Sequence, residues 1–341
     1  MNDHYGPLSR EDYEEPNCVL CMDKDRPQPI PQRRVREKLD EYMSRRDYAG
    51  AERHLNYWLA EARQNGDLRG EFFVRNEMMG HYRKVGNREQ AVLNANESLN
   101  LIDRLGFEGT LSAGTAYVNA ATVYDAFGMP ERSIELFEQA KAVYEGNLPE
   151  NDGRLGGLYN NMGLAYMALR RFGEAYEAFL KALDVMGRVE HGALEQAITY
   201  LNLANAVELE HGLEKGEQKI GQYLDKAAAL LDDPTVPRDG YYAFECEKGA
   251  PTFDYSGYFL AAGDLNDRAK GIYERALALA GGCLKTQGGG GGWRCAGGFR
   301  AGGGGWWPRL GLGGRRRRTC KVIFFLAARA GGDAKRDGRT R

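Results

Sequence analysis

Cys18-Val-Leu-Cys21 is the one stretch of the sequence where two thiols stand at a metal or redox spacing. A structural zinc site needs four ligands. No second pair stands nearby, and after Cys246 the matching position holds Gly249. A redox role for C-x-x-C needs a thioredoxin-like βαβ setting, which the surrounding sequence lacks. The two cysteines therefore read as small apolar residues that pack against the first helices. The histidines His4, His54, His81, His191 and His211 share no motif spacing with cysteine or carboxylate. The glycine runs follow no strand, so none is a phosphate-binding loop. No catalytic residue, metal site or cofactor is expected, and the chain does not read as an enzyme.

The elements that would position any site divide into two unlike parts. Residues 1–279 carry 32 Lys and Arg against 46 Asp and Glu, a net of −14. Residues 280–341 carry 14 basic residues against Asp333 and Asp337, a net of +12. An acidic body is a poor surface for phosphates, so nucleic acid is not an expected partner. The opening Asn2, Asp3 and His4 lack the order of a secretory signal. Val322 to Ala328, the longest apolar run, falls far short of the ~20 residues of a membrane span. Six cysteines are too sparse for a disulfide scaffold. A cytoplasmic protein with no membrane contact is expected.

The acidic part repeats itself. Leu158–Leu183 holds Tyr159, Met162, Gly163, Tyr166, Phe172, Ala175, Phe179 and Ala182, large and small residues alternating at helical spacing. A copy displaced by 42 residues holds Tyr117, Ala120, Ala121, Tyr124, Phe127, Ser133, Phe137 and Ala140. Further copies centre on Met78, Met79 and Tyr82, on Leu39, Tyr42 and Leu55, and on Tyr200, Leu203 and Ala204. In the last of these, Leu224 and Ala227 follow a four-residue insertion around Gly212–Gly216. A sixth copy reads Gly257, Leu260, Leu265, Ala269, Tyr273 and Ala276, with Pro251 kinking a longer helix that begins near Asp239. Turn-rich segments fall between copies, and Gly86-Asn87 and Gly128-Met129-Pro130 fall within them.

This pattern resembles the tetratricopeptide repeat, in a long-helix form found in bacterial proteins, over about residues 8–279. The resemblance implies an all-α superhelix of about six helix-turn-helix repeats of 40–42 residues. The helix pairs would lie near 32–63, 72–103, 114–146, 156–188, 197–232 and 250–280. Residues 1–31 would form an N-terminal extension, 32–280 the solenoid, and 281–341 a Gly/Arg-rich tail. The tail holds 19 of the chain's 45 glycines and three of its four tryptophans. Such a composition is what GC-rich triplets yield out of frame, and that reading is preferred to a nucleic-acid-binding segment with stacking Trp293, Trp306 and Trp307. Either way the tail is expected to be disordered.

The resemblance also implies a function: a non-catalytic scaffold that holds a peptide or protein in the concave groove. The alternative is a stand-alone sensor of a signalling peptide. Residues 1–31 are too short and too proline-rich for a helix-turn-helix domain. Transferring the family's template places Asn76, Asn119, Asn160, Asn161, Asn202 and Asn205 on the groove. An asparagine offers both donor and acceptor, and so can grip a ligand's main-chain amide. The same side chains could equally bond to a neighbouring helix. Arg36, Arg83 and Lys84 project near the N-terminal end of that face, where they could receive a carboxylate or stand as solvated surface charge.

Overall fold

The computed structural model describes residues 29–44 and 47–282. Most of the N-terminal extension, including Cys18 and Cys21, and the tail from residue 283 lie outside the described residues. Among the described residues twelve helices follow one another: α1 (Gln32–Ser44), α2 (Tyr48–Gln64), α3 (Leu68–Lys84), α4 (Arg88–Leu105), α5 (Leu111–Ala126), α6 (Pro130–Asn147), α7 (Gly153–Ala168), α8 (Phe172–Gly187), α9 (Ala193–His211), α10 (Leu213–Leu231), α11 (Gly240–Tyr255) and α12 (Phe259–Gly282). Among the described residues there is no strand, and no helix is long and apolar enough to cross a membrane. Each odd helix packs antiparallel against the even helix that follows it, and the six pairs stack into an all-α solenoid.

Local chemistry sets the helix ends. Asp47, Asp67, Asn87, Thr110, Asp152 and Asp239 each accept a hydrogen bond from a backbone N–H of the first helical turn. That satisfies donors the helix itself cannot. Within the pairs the chain reverses through a left-handed residue at Gly86, Gly128, Arg170 and Gly212, each 42 positions after the last. Glycine takes that conformation without steric cost, and Arg170 takes it at φ 56°.

Small residues set the spacing inside a pair. A Cβ added to Gly163 would lie 2.4 Å from the Phe179 ring, so the absence of a side chain there makes room for Phe179. Ala175 and Ala182 are fully buried on the same seam. Tyr159, Met162 and Tyr166 are buried in the core, as their spacing led us to expect. Ala175→Leu should overpack this seam and cost about 1–3 kcal/mol. Urea denaturation followed by circular dichroism checks it, and an unmoved midpoint would contradict the packing described.

Two expectations about the C-terminal third need correction. No insertion follows α9. Gly212 keeps the 42-residue step, α10 starts at once, and Gly216 takes the place of Ala175. A Cβ on Gly216 would lie 2.8 Å from Val207, so it is the close-approach residue of that pair. The sixth pair begins at Gly240, where the longer helix from near Asp239 was expected, and not near residue 250. Gly257 is the left-handed turn between α11 and α12, and Leu260 is 93% exposed, so neither is a packing position. The buried face of α11 is instead Tyr242, Ala243, Cys246, Gly249, Ala250 and Phe253. Pro251 lies inside α11, where it withholds one donor without ending the helix.

The last pair is seated differently from the others. Helix α11 packs chiefly on α9 and α12, and α10 does not meet it as even helices elsewhere meet the next odd one. Gly249 permits this: a Cβ there would come within 2.9 Å of Leu201 on α9. The apolar core changes clusters at the same point. One cluster runs from Ile30 to Ala206 and a second from Leu194 to Ile272, and they meet in α9.

Candidate functional site

Odd helices of successive pairs touch one another: α3 meets α5, α5 meets α7, α7 meets α9, and α9 meets α11. Even helices meet none of their own kind to a comparable extent. Elements on the inner radius of a curved stack lie closer together than those outside, so the odd helices form the inner wall.

On that wall the asparagines stand in register. Asn76, Asn119, Asn160 and Asn202 follow at steps of 43, 41 and 42 residues. They bond to one another in pairs across the pair-to-pair seams. Asn119 Nδ2 donates to Asn76 Oδ1 at 3.2 Å, and Asn202 Nδ2 donates to Asn160 Oδ1 at 3.1 Å. Asn76 Nδ2 in turn donates to the Phe72 carbonyl and to Ser98 Oγ. Asn160, Asn161 and Asn202 are buried, while Asn76, Asn119 and Asn205 are half-buried. The ladder is thus partly structural. Among the described residues Asn160 Nδ2 nevertheless has no hydrogen-bond partner, although Asn160 is only 3% exposed.

Two helical turns further on, about 10.5 Å along the axis, the same wall carries charge. Arg83 is buried, and burial pushes its guanidinium down to about 10 against the pull of Asp125. Asp125, 42 residues later on α5, is pushed up to about 6 by burial, opposed by Arg83. Its Oδ1 has no hydrogen-bond partner among the described residues. Arg36 and Lys84 are placed otherwise. Arg36 donates through Nε and Nη2 to Glu77 Oε1, at 3.1 and 2.9 Å, and its guanidinium lies 4.8 Å from the Phe73 ring centroid. Lys84 is exposed and stands over two rings, Tyr48 at 5.9 Å and Phe244 at 5.6 Å.

Phe244 belongs to α11, so that contact spans the inside of the solenoid. Lys248, one turn beyond it, also lies over the Phe244 ring, at 5.2 Å. Burial pushes the Lys248 ammonium down; Glu245 opposes the shift and Arg83 adds to it. Glu245 is 4% exposed, its carboxyl is raised by burial against the pull of Lys248, and its Oε1 has no hydrogen-bond partner among the described residues. Sequence reasoning missed Asp125, Phe244, Glu245 and Lys248. The 42-residue step from Arg83 could have found Asp125. The other three lie on the helix expected from near Asp239 but hold none of the repeat's large or small positions, so the pattern did not single them out.

Other buried charge is accounted for within the fold. Glu71 accepts from Arg63 and Arg75, and Arg75 also donates to Asn94. A recess of about 450 Å³ on the first pair is lined by Arg34, Glu37, Lys38, Glu41, His54 and Trp58. Its charges largely pair along α1, with Lys38 on Glu41 at 2.8 Å. Among the described residues, no three histidine, cysteine or carboxylate side chains are grouped as metal ligands.

Residues 157–185 match the tetratricopeptide-repeat family model. No curated protein matches the sequence. Among solved structures, the nearly identical TPR-like repeats assigned to a kinesin light chain of Podosopora anserina are similar at 16% identity and a TM-score of 0.43. That match covers 59% of this chain and 94% of the other. BtubC (BKLC) from P. vanneervenii is similar at 18% identity and a TM-score of 0.45, covering 74% and 96%. At such identities and scores, partner and activity have to be argued from the inner wall itself.

Proposed function

From the premise that a chain with this repeat at its centre, and the same helix pair stacked on both sides of it, is a tetratricopeptide-repeat protein, we propose that it is a non-catalytic scaffold holding a peptide or protein segment along its inner wall. The observation that carries this reading is the asparagine register on the odd helices. One of its members, Asn160, keeps a buried donor with no partner among the described residues. A native buried donor without a partner calls for a particular explanation, and a ligand carbonyl supplies one. The wall offers amide donors and acceptors at repeat spacing, flanked by the guanidinium of Arg83. These are groups that bind main chain and carboxylate.

The test removes the ladder without leaving orphans. Asn160 and Asn202 are hydrogen-bonded to each other, so they are replaced together by Ala, and Asn119, whose partner Asn76 would be left behind, is kept. Deleting both partners of a buried pair is far milder than deleting one. Capture of partners from a native lysate by the full chain, quantified by mass spectrometry, should fall about tenfold or more. The melting midpoint should move by only a few degrees. Capture that falls only in step with lost folding would leave the asparagines a purely structural role.

A further inference from the structure

We infer that the sixth helix pair is a gate on the groove, hinged on α9 and latched on α3 through Phe244, Lys84 and Lys248, and that it must unlatch before a partner reaches the inner wall. The inference rests on the proposed function and adds a regulation to that same site.

The two contacts of α11 with the wall differ in chemistry. On α9 the seat is apolar. A Cβ on Gly249 would come within 2.9 Å of Leu201, and Ala250 and Phe253 are buried in the same core cluster as Leu201 and Ala204. On α3 the contact is made by charge. The Phe244 ring takes Lys84 at 5.6 Å and Lys248 at 5.2 Å, and Lys248 lies close enough to Arg83 to feel its charge. Cation–ring contacts are attractive but individually weak, so the α3 contact yields before the α9 seat does.

The latched state also carries a cost. Arg83 and Glu245 are only 6% and 4% exposed, whereas charged side chains on an open groove reach water. Asp125 Oδ1 and Glu245 Oε1 are buried without a hydrogen-bond partner among the described residues. A buried acceptor left unsatisfied opposes the state that buries it, and swinging α11 off α3 lets water in.

The stack leaves the pair room to swing. Even helices elsewhere meet the next odd helix, but α10 does not meet α11 to a comparable extent. The outer face of α10 is instead exposed and charged, with Glu214, Glu217, Lys219, Asp225 and Lys226. The array thus already ends there in a solvated surface, as a terminal repeat must. Residues 232–239, which join α10 to α11, are also the longest connection between consecutive pairs among the described residues.

The latch and its effect on binding are tested in the full chain. An amine-reactive cross-linker that spans the two cation–ring distances, 5.6 and 5.2 Å, end to end should join Lys84 to Lys248 and hold the latch shut. Mass spectrometry identifies the product, which Phe244→Ala should greatly reduce. Peptides are then selected from a displayed random library against the full chain carrying Phe244→Ala. Those that lose binding when Asn160→Ala and Asn202→Ala are added are kept as groove binders. Phe244→Ala should bind them most tightly, and the parent about tenfold more weakly, because only its unlatched fraction is competent. The cross-linked parent should bind more weakly still, with a one-armed reagent as the control for lysine modification. Lys84→Ala, a second release at an exposed position, should bind more tightly than the parent. Groove binders with equal affinity for cross-linked, parent and released chains overturn the gate, as does the absence of an 84–248 product. A library that yields no binder dependent on the asparagines removes the proposed function, and the gate with it.

Discussion

Phe179→Ala should cost about 3–5 kcal/mol, as for other fully buried aromatic truncations. The ring is fully buried in the fourth pair, seated in the space that Gly163 leaves open on α7. Truncation removes its contacts with α7 and leaves a cavity between two helices that the adjoining pairs hold in place, so collapse is limited. The same geometry predicts a reversal of sign. Gly163→Ala alone forces a methyl to within 2.4 Å of the ring and should destabilise. With Phe179→Ala in the background, that methyl enters the cavity, and the helix gains about 1 kcal/mol of propensity from losing a glycine. The double variant should therefore be more stable than Phe179→Ala. Urea midpoints of the four proteins close the cycle. Additive effects would mean that Gly163 and Phe179 do not touch.

Arg83→Ala should destabilise the fold near neutral pH, because it removes the positive charge that favours the ionised form of the buried Asp125 carboxyl. It strands Asp125, which burial already holds up to about 6, and only Arg83 opposes that rise. The pH dependence identifies the cause. A carboxyl whose folded pKa is raised binds more protons in the folded state than in the unfolded state. Its penalty is fully present above the folded pKa and fades as pH falls through it. Without Arg83 that pKa should climb further, so the gap between variant and parent should narrow steadily from pH 8 to pH 5. His81 pulls the other way: burial lowers its pKa, and its contribution is lost on acidification. It is common to both proteins and cancels in the difference. A gap that stays constant with pH would show that Arg83 acts through packing alone.

Much of this architecture was legible in advance. The period of large and small residues placed five of the six pairs to within a few positions, because a helix that stacks on both sides must repeat its contact residues. Gly163, Ala175 and Phe179 could be assigned opposite roles from type alone, since volume has to be matched across a seam. The sixth pair was misread for a definite reason. Gly257 and Leu260 mimic the template at a shifted phase, while the true contact face of α11 is built on Tyr242, Cys246 and Phe253. Arg170 shows the converse: no residue type announces a left-handed turn there, and the 42-residue step does.

By itself the sequence determined that this chain is an all-helical array with an acidic body and asparagines in register, because helical period, charge and spacing are local properties of residue order. Only the tertiary structure decided that the asparagines bond in pairs, that Arg83 and Asp125 are both buried and feel each other's charge, and that Lys84 and Lys248 both stand over the Phe244 ring. Those contacts depend on how far each pair rotates relative to the last. Small rotations add up over four repeats, and their sum sets which side chains meet across the interior, a quantity no single repeat contains.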